Sequence, residues 1–178
     1  MQIRDVLVKR WSVVSARSFE EVLKRLTAPI GRTDLSEFER AMAAAKTLAE
    51  LEKVVLAAVG PSGFMEVARY DHGAVLRKER GGEGPKMLRL LIGNPLIMKE
   101  MARVVPDAAS YAPTTILVDE RADGVHLSYD SMASLLAPYG NPVALAVAGT
   151  TQLPLWADDD SARTPRSGCG VRGYCRPW

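Results

Sequence analysis

The most constraining feature of the sequence is the stretch Met87 to Ser131, MLRLLIGNPLIMKEMARVVPDAASYAPTTILVDERADGVHLSYDS. Its first six residues are a short apolar run with the length of a buried strand. Gly93-Asn94-Pro95 ends this strand, because the residue before a proline avoids the helical region and asparagine is a good helix cap. Apolar residues then recur at helical spacing, so the pattern predicts a helix that runs from Pro95 to Pro106.

The second half of this stretch predicts two paired strands. Residues 114–118 are rich in β-branched side chains, and Asp123-Gly124 is typical of a hairpin turn. Residues 125–130 alternate between apolar and polar, which indicates one buried face and one face in water or at an interface. A sheet of this kind needs a layer of helices over its apolar face. We therefore predict an α+β fold in which an antiparallel sheet is covered by helices.

The rest of the chain continues this pattern. Ser18 and Thr47 each begin a capping box, in which a glutamate follows three residues later. The charged, glycine-rich residues 77–86, RKERGGEGPK, predict a solvated loop between strands. The remaining predicted elements are strands at 6–14 and 64–70 and helices that begin at Ser18, Asp34, Thr47, Met132 and Asn141.

An ordered series of short segments resembles the bacterial domain of unknown function 302 family. The segments are Tyr70-Asp71-His72, a strand ending in Gly93-Asn94-Pro95, PTTILVDE, VHLSYDS and a short helix ending in APYG, and the resemblance as a whole covers roughly residues 6–149. The resemblance implies a compact fold of the TATA-binding-protein-like type, with the order β-α-β-β-β-β-α, often as a homodimer. It implies no established activity. The helices at about 32–59 depart from the family pattern, and we interpret them as a helical insertion that affects the usual dimer surface.

The sequence predicts one domain over residues 1–156 and a separate tail over residues 157–178. A chain of 178 residues is long enough for one domain with a proper core. We expect Leu153 to Trp156 to pack against this domain and the acidic run Asp158-Asp159-Asp160 to mark its end. The tail is rich in glycine, proline and arginine, so it has too little apolar surface for a core of its own.

Charge and hydropathy give expectations about location and partners. The formal net charge of +2 is too small to indicate nucleic-acid binding. No apolar run approaches the ~20 residues that a membrane-spanning helix needs. The N-terminal residues MQIRDVLVKRWSVV carry charges within their apolar run, unlike a secretory signal. We therefore expect a cytoplasmic protein with neither a membrane nor a nucleic acid as its partner.

Five residues within the predicted fold are candidates for ligand binding: Asp71, His72, Gly93, Asn94 and Tyr129. A histidine imidazole can accept a proton or bind a metal, which makes His72 a candidate, although a buried histidine bonded to a carbonyl is the alternative. Gly93 and Asn94 precede a helix whose N–H groups suit a small anion, although capping alone explains them. Tyr129, together with Tyr111, could line a pocket, with core packing as the alternative.

Two histidines without a cluster of cysteine or acidic side chains predict no metal site, so the cofactor stays unknown. We expect the second histidine, His126, to lie at the surface or at a dimer interface. No GxSxG or HExxH pattern occurs, and no Cys–His pair lies within the fold. The sequence therefore favours a protein that is not an enzyme.

The tail carries both cysteines of the chain, Cys169 and Cys175. In the cytoplasm these thiols would be reduced, and neighbouring arginines would lower their pKa and raise their reactivity. A disordered basic tail, a reactive dithiol, and a peptide presented to a modifying enzyme are the three interpretations. The modification or redox sites in the tail would be Cys169, Tyr174, Cys175 and Trp178.

Our lead hypothesis for function is a non-catalytic, homodimeric domain that holds a small ligand, with an anion as one candidate, or a partner protein. One alternative is a carrier or precursor whose C-terminal peptide is modified or cleaved by a partner enzyme. The other alternative is a redox or metal-dependent enzyme that uses His72 or the thiols of the tail.

Overall fold

A computed structural model describes residues 3–150. These residues form five strands, seven α-helices and two 3₁₀ helices. The strands are β1 Arg10–Ser15, β2 Met65–Asp71, β3 Met87–Gly93, β4 Thr114–Arg121 and β5 Gly124–Asp130. The α-helices are α1 Phe19–Thr27, α2 Leu35–Ala44, α3 Leu48–Ala58, α4 His72–Glu79, α5 Pro95–Ala102, α6 Met132–Leu136 and α7 Pro142–Thr150. The 3₁₀ helices are Pro106–Ser110 and Ala137–Tyr139.

The five strands form one sheet in the order β1-β5-β4-β3-β2, and every neighbouring pair is antiparallel. The predicted hairpin joins β4 to β5, and Gly124 has a φ of 138°, a conformation that glycine adopts at little cost. Strand β2 lies at one edge and is followed directly by α4, which returns the chain to β3. The predicted α+β fold with an antiparallel sheet covered by helices is confirmed.

The main core lies between one face of the sheet and α1. In β5, Val125, Leu127 and Tyr129 are buried while the residues between them are half-buried, so the predicted alternation is confirmed. Among the described residues, the strand side chains on the opposite face of the sheet are exposed or half-buried except for Met65 and Asp119. The buried members of the main core from α1 and the sheet are Phe19, Val22, Leu26, Leu88, Leu90, Ile92, Ile116, Val118, Val125, Leu127 and Tyr129.

A second, smaller core forms among α5, α6, α7 and the first 3₁₀ helix. Its buried members are Met101, Val105, Ala108, Met132, Leu136, Ala144 and Ala148. Ile97 of α5 packs against both cores and links them. The main core fixes α1 relative to the sheet, and Ile97 extends this packing to the later helices.

The predicted helix caps are present as hydrogen bonds. Ser18 Oγ accepts from the Glu21 N–H at 3.3 Å, and Thr47 Oγ1 accepts from the Glu50 N–H at 3.2 Å. Asn94 Oδ1 accepts from the Leu96 N–H at 2.9 Å, and proline occupies the first turn of α5 as predicted. These caps supply partners for N–H groups that have none within the helix.

Three predicted boundaries are wrong. The first strand begins at Arg10 rather than at residue 6, because the Lys9 N–H donates to Ser134 Oγ and the Lys9 carbonyl accepts from Ser131 instead of from a strand. The loop predicted at 77–86 begins only after Glu79, since α4 includes its first three residues. The helix after Pro95 ends at Ala102, and a 3₁₀ helix begins at Pro106.

Several predictions concern features outside the described residues. These are the packing of Leu153 to Trp156, the acidic run at 158–160 and the tail sites Cys169, Tyr174, Cys175 and Trp178. The homodimer, the likeness to the TATA-binding protein and the insertion at 32–59 also stay predictions. Within residues 3–150, no helix is both long and apolar enough to cross a membrane.

Replacement of Leu90 by alanine should destabilise the domain. Leu90 has no exposed surface and lies at the centre of the main core, so its truncation leaves a cavity that costs about 2–5 kcal/mol. Leu56→Ala is the matched control, because Leu56 is 64% exposed and its truncation should change the free energy of unfolding by less than about 0.5 kcal/mol. Urea denaturation of both variants measures the difference, and equal losses would contradict the assigned core.

Candidate functional site

The candidate site is a groove at the corner of the sheet where β2 passes into α4. It has a volume of about 440 Å³ and lies between α1 on one side and β2, α4 and the start of β3 on the other. Its residues come from four elements and the loop before β3: Phe19, Glu20, Leu23, Arg69, Asp71, Arg77, Gly84, Lys86, Met87 and Leu88. The groove therefore joins residues that are far apart in the sequence.

The apolar part of the groove belongs to the main core. Phe19 and Leu88 are buried and Leu23 is half-buried, and all three pack in the same cluster of side chains. Asp71 faces Leu88 across the antiparallel pair of β2 and β3. An apolar surface thus lies directly beside charged side chains, which is the combination found in many small-molecule sites.

Asp71 both caps α4 and binds Arg77 at this corner of the sheet. Its Oδ1 accepts from the Ala74 N–H at 2.8 Å and so caps α4, while its Oδ2 accepts from Arg77 at 2.8 Å. Gly73 of the first turn is buried, and a side chain there would collide with the Met87 N–H. The cap and this glycine bring α4 close to β3 and hold Arg77 over the groove.

Each cation of the groove has an acidic partner. Arg69 donates two hydrogen bonds to Glu66, and Lys86 forms an ion pair with Glu20 of α1. The Lys86 ammonium also lies 5.8 Å from the centre of the Phe19 ring, within range of a cation–π interaction. The ion pair between Lys86 and Glu20 connects the loop before β3 to α1 across the groove.

These contacts shift the pKa values of Glu20, Asp71 and Lys86 away from neutral pH. The hydrogen bond from Lys86 holds the pKa of Glu20 below its usual value, and the same bond raises the pKa of Lys86. Partial desolvation raises the pKa of Asp71, but hydrogen bonds from Ala74 and Arg77 outweigh it and leave that pKa lowered. All three side chains are therefore charged at neutral pH.

The structure separates the five predicted ligand-binding residues, and among them only Asp71 lines the groove. His72 is exposed at the start of α4 and stacks on Tyr70, with 6.2 Å between the ring centroids. Asp71 does not hydrogen-bond to it, because its oxygens accept from Ala74 and Arg77. The ring of His72 is thus placed outside the groove.

Gly93 and Asn94 lie at the opposite end of β3 from the groove. Both polar atoms of the Asn94 side chain form hydrogen bonds within the protein. Its Oδ1 accepts from the Leu96 N–H, and its Nδ2 donates to the Gly63 carbonyl at 2.8 Å. The N-terminus of α5 therefore already has a polar partner within the chain. Helix capping and the bond to Gly63 account for the side-chain contacts of Asn94 without a ligand.

The predicted aromatic residues lie in and around the cores. Tyr129 is buried in the main core, and its hydroxyl accepts from the Met132 N–H at 3.2 Å. Tyr111 packs against the second core, where its hydroxyl lies 3.2 Å from that of Tyr139. His126 is half-buried on the opposite face of the sheet, 2.8 Å from Asp123. None of the three lies among the residues that line the groove.

Sequence reasoning missed most of the groove. Glu20 had no assigned role, and Arg77 and Lys86 were assigned to a solvated loop. The run of cations beside glycines at 77–86 was the sequence pattern that could have indicated this part of the groove. That α1 lies opposite the run is known only from the fold. Within the described residues, no group of three or more histidine, cysteine or acidic side chains could hold a metal ion.

Comparison with known proteins identifies the family. A family model described as a domain of unknown function, DUF302, matches residues 38–155, which is more than half of the chain. The chain belongs to the DUF302 family. The DUF302 match includes β2, α4 and β3 of the groove and begins after α1, within the segment that we interpret as an insertion.

One solved structure supports the same fold. It is the crystal structure of an uncharacterised conserved DUF302 protein from Bacillus stearothermophilus, with a TM-score of 0.55 and 15% sequence identity. The similarity covers 86% of this chain and 98% of that chain. No curated protein matches this DUF302 chain.

Substitution of Asp71 separates its capping role from its charge. Asp71→Ala removes the cap of α4 and should cost about 0.5–2 kcal/mol of stability. Asp71→Asn should cost less, because asparagine caps helices well although it loses the charge that attracts Arg77. Thermal unfolding of both variants tests this order, and an equal loss in both would show that the cap contributes nothing.

The Tyr139 hydroxyl should ionise only at strongly alkaline pH. Its hydrogen bonds with Tyr111 and Asp107 favour the protonated form and raise its pKa from 10.0 to about 12. Because the pKa is raised, the stabilising contribution is complete below pH 10.0 and is lost as the pH rises to about 12. Tyr111→Phe should lower this pKa.

A pH jump followed by ultraviolet absorbance reads the ionisation before the protein unfolds. The Tyr139→Phe variant serves as the reference that identifies the signal of Tyr139. If Tyr111→Phe leaves the alkaline transition unchanged, the hydrogen bond between the two hydroxyls does not cause the shift.

Proposed function

We propose that this chain is a non-catalytic domain that binds a small ligand in the groove between α1, α4 and the edge of the sheet. The observation that carries the proposal is the groove itself, in which buried apolar side chains lie beside a rim of charged ones. Its volume of about 440 Å³ falls within the range of roughly 300–1,000 Å³ that is usual for small-molecule sites. The apolar part would contact the body of a ligand, and the charged rim would orient it.

The protonation states of the rim support binding rather than catalysis. A general acid or base works best with a pKa near the operating pH. The pKa values of Glu20 and Asp71 are lowered and that of Lys86 is raised, so each group keeps its charge at neutral pH. Fixed charges of this kind suit recognition of a polar group on a ligand.

A substitution that fills the groove should abolish ligand binding. Leu23 is half-buried on the wall that α1 contributes, so Leu23→Trp would place an indole ring in the groove. Leu48→Trp is the matched control, because Leu48 is 54% exposed on α3 and does not line the groove. The full-length proteins would be screened by ligand-observed NMR with indole, cyclohexanol, benzoate and benzylamine as probes.

We expect at least one probe to bind the wild type and the Leu48→Trp variant but not the Leu23→Trp variant. Amide shift changes on binding should centre on α1 and the start of β3. If no probe binds, or if binding survives in Leu23→Trp, the groove is not a ligand site and the proposal fails.

A further inference from the structure

The charge balance of the groove indicates what kind of ligand it would take. Among its lining residues, Arg69, Arg77 and Lys86 are cationic, and Glu20 and Asp71 are anionic. Arg69 is already paired with Glu66, so Arg77 and Lys86 are the cations that face Asp71 and Glu20 in the groove. A ligand carboxylate that replaces one of these two carboxylates keeps the charge balance, whereas a phosphate monoester carries about −1.5 to −2 at neutral pH and a primary amine carries the opposite sign.

The ion pair between Lys86 and Glu20 is the part of the rim that a ligand can displace most readily. Both side chains are solvent-exposed, at 45% for Lys86 and 67% for Glu20. Exposed ion pairs contribute little to stability, because water screens the charges and holding two long side chains together costs entropy. By contrast, the Arg69 pair with Glu66 involves two hydrogen bonds and a carboxylate that is only 12% exposed.

The main chain holds Lys86 in place independently of its side chain. The Lys86 carbonyl accepts from the Glu120 N–H at 2.9 Å, and the Lys86 N–H donates to Glu120 Oε2 at 3.3 Å. The ammonium can therefore change partners while the backbone stays fixed at the edge of the sheet. Its position near the Phe19 ring leaves it beside the apolar part of the groove.

From this arrangement we infer that the groove binds an amphipathic monocarboxylate, a molecule with one carboxylate on an apolar body. The carboxylate takes the place of Glu20 at the Lys86 ammonium and also lies near Arg77. The apolar body packs against Phe19, Leu23 and Leu88. The inference rests on the proposed function, since it assigns a ligand class to the same groove.

Three probes of equal length and different charge test this ligand class. Hexanoate, 1-hexanol and hexylammonium would each be titrated into the isotope-labelled full-length protein, and acetate would serve as a carboxylate without an apolar body. Amide shifts of Phe19, Leu23 and Leu88 report binding in the groove. We expect hexanoate to bind more tightly than the other three.

Substitutions at the displaced ion pair should change hexanoate affinity in opposite directions. Lys86→Met should weaken binding about tenfold, because it removes one charge-assisted hydrogen bond. Lys78→Met is the matched control, since Lys78 is an exposed lysine of α4 that does not line the groove, and it should leave the affinity unchanged. Glu20→Gln should tighten binding, because the ligand no longer competes with a carboxylate for Lys86, and a folding defect would not produce that gain.

The outcomes distinguish this inference from the proposed function. If 1-hexanol or hexylammonium binds the groove as tightly as hexanoate, the ligand class is wrong while the groove remains a binding site. If none of these probes shifts the groove amides, the ligand class is overturned, and the proposed function is overturned with it only when indole, cyclohexanol, benzoate and benzylamine also fail to bind. If Glu20→Gln weakens hexanoate binding, the carboxylate does not take the place of Glu20.

Discussion

The structure depends on the burial of one face of the five-stranded sheet under α1. Leu90 and Ile92 of β3 and Ile116 and Val118 of β4, two inner strands of the sheet, have no exposed surface. A sheet face of this size is stable only when another layer removes it from water. The main core therefore determines where α1 lies, and α1 in turn determines where the groove can form.

The groove arises because α1 does not cover the corner of the sheet near the end of β2. There the chain turns into α4 directly after Asp71, so that helix and sheet edge form the second wall. Apolar side chains that belong to the core, such as Phe19 and Leu88, thus reach a surface bordered by charges. The same packing that stabilises the domain supplies the apolar contact surface of the candidate site.

Local patterns made much of the fold predictable. The caps at Ser18, Thr47 and Asn94 and the alternation in β5 each depend on neighbours within a few residues of the sequence. Helix α4 was missed because a glycine and a cluster of charges weaken its helical pattern, although its cap and packing stabilise it. The end of a strand was also predicted wrongly where a contact with a distant residue determines it. At Lys9, hydrogen bonds with Ser131 and Ser134 replace those of a strand.

The candidate site was largely unpredictable for the same reason. Lys86 and Glu20 are separated by 66 positions, and only the packing of α1 on the sheet brings them together. Asp71 was identified as a candidate from its place at the end of a strand, but its partner Arg77 belonged to a segment interpreted as a loop. A site whose residues meet only through tertiary contacts can be recognised only once the fold is known.

Intermolecular nuclear Overhauser effects between hexanoate methylene protons and protein side chains test the central claim most directly. We predict contacts with the Phe19 ring and the methyl groups of Leu23 and Leu88, which line the groove. Contacts instead with Leu145 and Val147 of the second core, or with Leu117 on the opposite face of the sheet, would contradict it.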